Sequence, residues 1–205
     1  MFRKIVVVLI IVAAAVLVFN YARRNWLGPF NPDRIAVSET RMWQAYYSQD
    51  TQALGREMVR LLQSQFGLSL ADSIDVGRDL AGAAMQFQSL GGNYDQVLPR
   101  LERAYGRIKK ITGGTWSPTE AAQAELDWWV ARRTPGRDSS ETVGRSIARL
   151  YAVLYGKTNP AIEQAGFLRA QAAELRDKGS ANADWKQVER LLRQSYRALR
   201  RGVAL

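Results

Sequence analysis

The chain predicts an all-α fold: an irregular bundle of about seven helices, solenoid-like in one variant, behind one N-terminal transmembrane helix. Three observations carry this reading. Apolar residues recur at steps near 3.6 from Ser38 to the C-terminal end, and no run reads convincingly as a strand. Helix starts and stops punctuate the same region, with Ser117-Pro118 and Asn159-Pro160 opening segments and Gly67 and Gly156 closing others. Ile5 to Phe19 is an unbroken apolar run.

The apolar run extends into an uncharged gap of 18 residues between Lys4 and Arg23. In a helix that gap spans roughly 27 Å, close to the hydrocarbon thickness of a bilayer. A cleaved signal peptide and a buried core helix are the competing readings. A signal peptide needs a small-x-small cleavage site. The one candidate ends at Ala22, with Asn20 two positions earlier, bulky Phe19 and Tyr21 alongside, and Arg23-Arg24 directly after. Residues 1–24 are therefore expected to be an uncleaved anchor, and the protein a single-pass component of a bacterial inner membrane. Arg3 and Lys4 flank one end, and Arg23, Arg24, Arg34 and Arg41 the other, so the positive-inside rule leaves the side of the soluble domain open. Residues 25–37 hold two prolines and a glycine and read as a juxtamembrane stalk, with Trp26 and Phe30 at the interface. Residues 38–205 read as the helical domain.

The helices follow in order. The first is expected from Glu39 to Gln65, with Trp43, Tyr47, Leu54, Met58, Leu61 and Leu62 as its stripe and Gly67 as its stop. Ser69, with Asp72 three residues on, opens the second, whose small residues Gly77, Ala81, Gly82, Ala83 and Ala84 suit close packing. Leu90 to Asn93 is a turn. The third covers Tyr94 to Ile111, and Pro99 fits it best if the true helix starts near Leu98. Ser117-Pro118-Thr119-Glu120 is the strongest local signal: a serine cap, proline in the first turn and a glutamate three residues after the cap. Ser140 to Tyr155 is the fifth helix. Asn159-Pro160 begins the sixth, which ends near Gly179. Asn182 or Asp184 opens the last, with Trp185, Val188, Leu192 and Leu199 on one face.

Composition excludes several chemistries. The chain has no cysteine, hence no disulfide framework and no thiolate metal site. It has no histidine, which removes the usual general base and the commonest transition-metal ligand. No catalytic signature, cofactor or metal is expected. Net charge is +10, and residues 31–205 keep 25 basic against 19 acidic residues, a net +6. A modestly basic domain beside a bilayer points to anionic headgroups as neighbours. An unknown protein partner is the other expected contact, and nucleic acid is not the expected one.

Several sequence runs carry resemblances. Trp43-Gln44-Ala45-Tyr46-Tyr47, Phe66-Gly67-Leu68-Ser69, Tyr94-Asp95-x-x-Leu98-Pro99-x-Leu101-Glu102 and Glu125-Leu126-x-Trp128-Trp129 together resemble an uncharacterised bacterial family of helical proteins. The resemblance covers about residues 39–200 and implies a helical fold, with no catalytic or binding residue to carry over. Residues 128–176, from WWVARR through LYAVLYG, are similar to the helical tail of membrane-bound transglutaminase-like proteins, whose Cys and His are absent here. Ala83-Ala84-x-x-Phe87 with Gly92-Asn93-Tyr94 resembles one tetratricopeptide turn, where a stable array needs about three repeats.

Two basic stripes are the candidate contacts for lipid or a partner: Arg100, Arg103, Arg107 and Lys110, and Lys186, Arg190, Arg193, Arg197 and Arg201. Each lies on one helical face beside an apolar face. The plain reading of both is a solvated surface. The candidate pocket comprises Trp43, Tyr47, Glu125, Trp128, Trp129, Arg132 and Arg169. Trp128 and Trp129 lie about 100° apart on a helix, so one lines a second surface. A buried Glu125 needs a partner, with Arg132 and Arg169 the natural choices. The expected function is a non-enzymatic, membrane-tethered interaction module that docks a protein partner or the bilayer. The alternative is a small-ligand binding protein or enzyme using the Trp/Tyr-lined pocket and a buried Glu–Arg pair.

Overall fold

The structure, a computed structural model, describes residues 30–179 and 183–204. The expected anchor, residues 1–24, and Trp26 lie outside the described residues. Among the described residues no helix is long and apolar enough to cross a membrane, and there is no strand.

Eight helices make up the fold. They are α1 (Pro32–Tyr47), α2 (Thr51–Phe66), α3 (Leu70–Ser89), α4 (Leu98–Thr112), α5 (Pro118–Arg133), α6 (Ser140–Tyr155), α7 (Pro160–Gly179) and α8 (Trp185–Ala204). A 3₁₀ turn, Tyr94–Val97, leads into α4. Side-chain caps set most of the starts. Ser69, Ser117 and Ser139 each accept a backbone N–H three residues on, and Asn159 accepts from Ala161 and Ile162. These satisfy donors that a helix N-terminus otherwise leaves open.

Two boundaries differ from the sequence reading. The helix expected from Glu39 to Gln65 is two helices, because Ser48–Asp50 turns the chain, with Gln49 in the left-handed region at φ 59. Asp50 caps α2 by accepting from the Ala53 N–H at 2.9 Å. No glycine or proline marks this turn, so periodicity ran through it. α1 also begins inside the segment read as a stalk. Asn31 accepts from the N–H groups of Asp33 and Arg34, and Pro32 takes the first helical position. This is the same Asn-Pro signature that opens α7; the break at Ser48–Asp50 makes the count eight rather than about seven.

Each helix packs against the next in sequence, and α1 packs against α8. The chain therefore closes into a ring, unlike an open solenoid, whose ends do not meet. The tightest crossing joins α6 to α7. A Cβ built on Gly166 would lie 2.3 Å from the Gly144 carbonyl oxygen and 2.8 Å from the Ala148 nitrogen. Only two glycines let these backbones touch. The small residues of α3 play a different part: Arg100 lies across Gly82, and a Cβ on Gly77 would meet the Met58 sulfur at an ordinary 3.5 Å. Ring closure is secured at the other end by α8. Ser195 Oγ donates to the Ala165 carbonyl at 2.7 Å, and Asn159 Nδ2 donates to the Gly202 carbonyl at 2.9 Å.

These contacts separate two glycines of similar appearance. Gly166→Ala is expected to destabilise the protein by about 1–3 kcal/mol through overpacking. Gly77→Ala has room and gains helix propensity, so it is expected to stabilise by about 0.5–1 kcal/mol. Urea denaturation followed by circular dichroism separates the two, and equal effects would show that the α6–α7 crossing is looser than described.

Candidate functional site

The ring borders a half-open cavity of about 700 Å³ to which all eight helices contribute side chains. The contributions divide by helix. From α2 and α3 come apolar and amide groups alone, among them Leu54, Met58, Leu61, Leu80, Ala84 and Met85. The charged groups come from α5 and α7, with Tyr151 from α6 and Tyr196 from α8. All seven residues of the expected pocket line this cavity: Trp43, Tyr47, Glu125, Trp128, Trp129, Arg132 and Arg169.

The expected Glu125–Arg pairing is not what forms. Glu125 Oε2 accepts from the Tyr105 hydroxyl at 2.8 Å and Oε1 from Trp129 Nε1 at 2.9 Å. Trp129 sits one turn after Glu125 on α5, so the indole is the carboxylate's nearest donor, and α4 brings Tyr105 from the facing side. The buried Glu–Arg pair of this cavity belongs to Glu39 instead. Arg169 Nε and Nη2 donate to Glu39 Oε1 at 2.9 and 2.6 Å, and Tyr196 Oη donates to Oε2 at 2.6 Å. Glu39 is 0% exposed. Burial works against the charge on Arg169, and the Glu39 carboxylate outweighs it, holding the guanidinium well above its ordinary pKa.

A second polar cluster joins α1, α5 and α7 at the cavity wall. Asp177 accepts from the Tyr47 hydroxyl at 2.9 Å, from Arg176 at 2.9 and 3.0 Å, and from Arg132. Arg176 lies over the rings of Trp43 and Tyr47, at 4.3 and 5.2 Å. Burial raises the Asp177 carboxyl, but Arg132 and Arg176 more than offset this and leave it below the usual carboxylate range. Neither Arg176 nor Asp177 was singled out from the sequence.

Trp128 and Tyr151 contribute to the cavity wall with their polar atoms shielded from solvent. Trp128 Nε1 is buried and makes no hydrogen bond among the described residues, and the Tyr151 hydroxyl, equally buried, lies beside the Ser195 side chain. Arg169 stacks against Trp128 at 5.2 Å, and its two bonds to Glu39 use Nε and Nη2, leaving Nη1 without one. Trp128 and Trp129 are perpendicular, their centroids 6.1 Å apart. Trp129 turns its face to Phe87 and its N–H to Glu125, while the Trp128 N–H is left unpaired.

The basic stripes are largely tied to neighbouring helices. On α4, Arg103 pairs with Asp79 at 3.2 Å and Arg107 with Asp75 at 3.0 Å, both on α3. On α8, Arg193 and Arg197 share Asp33 of α1, and Arg201 donates to Gln164 of α7. Arg100, Lys110, Lys186 and Arg190 make no ion pair among the described residues. Exposed pairs of this kind contribute about 0–1 kcal/mol each. Among the described residues no three carboxylates gather as a cation site. Glu39 and Glu57 are bound to arginines and Glu125 to neutral donors.

No family model, curated protein or solved structure matches this chain.

Removing the Glu39 carboxylate strands Arg169. Glu39→Ala is expected to cost about 3–5 kcal/mol, the usual penalty for breaking a buried pair from one side. Removing both charges in Glu39→Leu/Arg169→Leu should recover a good part of that loss. A double variant no more stable than the single one, by urea denaturation, would contradict the pairing.

The buried tyrosines set an alkaline limit on the fold. Burial raises Tyr105, Tyr151, Tyr155 and Tyr196 above their ordinary pKa, Tyr151 to about 12. The folded state thus keeps protons that the unfolded state loses near pH 10. Stability is full below that pH and falls as pH rises from about 10 toward 12. Phenolate absorbance from these four side chains is expected to develop only together with loss of helicity. Reversible titration of every tyrosine near pH 10, with helicity intact, would contradict their burial.

Proposed function

We propose that this chain is a membrane-tethered binding module whose central cavity takes a small, mainly apolar ligand. One observation supports it above the rest: a cavity of about 700 Å³ is walled mainly by apolar and aromatic side chains, with a few polar groups of α5 and α7 on one side. The volume falls within the roughly 300–1,000 Å³ typical of small-molecule sites. A mostly apolar wall with a few convergent polar groups is the usual composition of such a site.

This reading places function in the cavity rather than on the basic stripes. Arg103, Arg107, Arg193 and Arg197 are already engaged by carboxylates of neighbouring helices. It takes up the small-ligand alternative of the sequence reading and makes no claim of catalysis. The membrane tether, which rests on the apolar run of residues 5–19, would keep the cavity close to a reservoir of apolar molecules.

The test is a fluorescent apolar probe whose emission rises in a dry environment. It is expected to bind the full chain in detergent-free nanodiscs one to one, with quenching of tryptophan emission through Trp128 and Trp129. Ala84→Trp, which fills the apolar side of the cavity, should abolish binding and leave the fold intact. Unchanged probe binding by Ala84→Trp would place the probe elsewhere and remove the support for a cavity ligand.

A further inference from the structure

We infer that the ligand is a free single-chain amphiphile with an anionic head, of the fatty-acid kind, and that Arg133 holds that head at the cavity mouth. The inference rests on the cavity reading above and adds the chemical class. The chain follows from the wall of α2 and α3. Leu54, Met58, Leu61 and Leu80 line the cavity and are only partly buried. Met85, on the same wall, is 68% exposed. An apolar chain laid along this wall takes that surface out of water. A second chain would have no second apolar wall to cover, because α5 and α7 carry the charged groups of the cavity.

Charge decides the head. Four guanidiniums line the cavity, those of Arg132, Arg133, Arg169 and Arg176. Three carboxylates lie among them. Glu39 binds Arg169, Asp177 is shared by Arg132 and Arg176, and Glu125 is engaged by Tyr105 and Trp129. With every carboxylate counted as an anion, one positive charge is left over. Its seat is Arg133, which makes no ion pair among the described residues. A neutral head would leave that charge unmet, and an ammonium head would add to it.

Arg133 is also the arginine that a head can reach. It is exposed, whereas Arg132 and Arg169 are half-buried and Arg176 is buried. Its place is fixed: Nη1 donates to the Phe87 carbonyl at 2.8 Å, and the guanidinium lies over the Phe87 ring at 4.2 Å. Phe87 and Gln88 line the cavity in the last turn of α3, so the charge stands where the apolar wall ends. A fatty-acid anion has its parts in that order, chain and then charge. A guanidinium carries five N–H groups, and the Phe87 carbonyl is the one acceptor Arg133 has among the described residues. The N–H groups left over suit a carboxylate, which takes two parallel bonds from one guanidinium. A head at the half-open mouth keeps part of its hydration and so escapes most of the penalty of a fully buried charge.

The experiment displaces a neutral fluorescent probe from the full chain in phosphatidylcholine nanodiscs. The competitors are laurate, dodecanol, dodecylamine and vesicles of dilauroyl phosphatidylglycerol. Laurate is expected to act at about three- to fivefold lower concentration than dodecanol, as one partly exposed ion pair allows. Dodecylamine is expected to be the weakest of the three. Arg133→Glu is expected to reverse laurate and dodecylamine while dodecanol stays unchanged. Arg133→Gln is expected to bring laurate level with dodecanol, and it serves if the charge reversal fails to fold. Each compound partitions into the disc alike for every variant, so a change of order reports on the protein. Dodecanol or dodecylamine matching laurate on the wild type overturns the anionic head. An order that neither folded variant changes overturns Arg133 as its partner. Phosphatidylglycerol acting as readily as laurate overturns the free single-chain source. A bound probe that no competitor displaces overturns the amphiphile and leaves the cavity reading standing. A probe that does not bind at all overturns both.

Discussion

The Glu39 carboxylate lies wholly out of solvent and takes three hydrogen bonds, two from Arg169 of α7 and one from Tyr196 of α8. Everything else in the ring depends on that meeting, because it fastens the first helix to the last two. A buried ion pair gains little net stability, since desolvation is about as large as the attraction. What it fixes is register. Sliding α1 by one residue against α7 would leave a carboxylate and a guanidinium buried apart, each without a partner. Apolar contacts alone, such as Ile35 and Trp43 one turn to either side of Glu39, would tolerate such a slip far more easily.

Closing the ring in this way has a consequence for its interior. Eight helices that pack chiefly on their ring neighbours leave a space in the middle. Large side chains from every helix enter it, yet about 700 Å³ stays open. The α6–α7 crossing, backbone against backbone at Gly144 and Gly166, draws that side of the ring tight. Polar groups gather there and toward α5, where buried charges satisfy one another. The α2–α3 side carries none of this chemistry and keeps partly exposed apolar chains instead. The asymmetry of the wall thus follows from where the sequence places its charges.

Much of the fold was legible because local signals are strong where the chain is punctuated. Ser69, Ser117 and Asn159 cap where a cap is expected, and Ser139 caps the helix expected to begin at Ser140. The break at Ser48–Asp50 was not legible from period or from glycine and proline, since a polar tripeptide with Gln49 at positive φ makes the turn. The pocket residues came together as a set because Trp128, Trp129 and Glu125 sit on one helix and Trp43 and Tyr47 on another, at helical spacings. Their partners were mis-assigned. Glu125 meets a tyrosine and an indole, while Glu39 takes the arginine. One signal pointed to Glu39: the steps Ile35, Glu39 and Trp43 put a carboxylate in the middle of an apolar stripe. Arg176 and Asp177 gave no such signal, because adjacent charged residues near a helix end read as surface until α1 is folded over them.

A ligand-binding role requires the cavity to be an occupied site and not a packing defect. Native mass spectrometry of the full chain, purified gently from the cells that make it, tests this directly. The account predicts a discrete adduct of small apolar mass on the wild-type protein, lost on mild heating and lacking in a variant whose cavity is filled at Ala84. A bare mass for the wild type under conditions that keep the fold intact would contradict it.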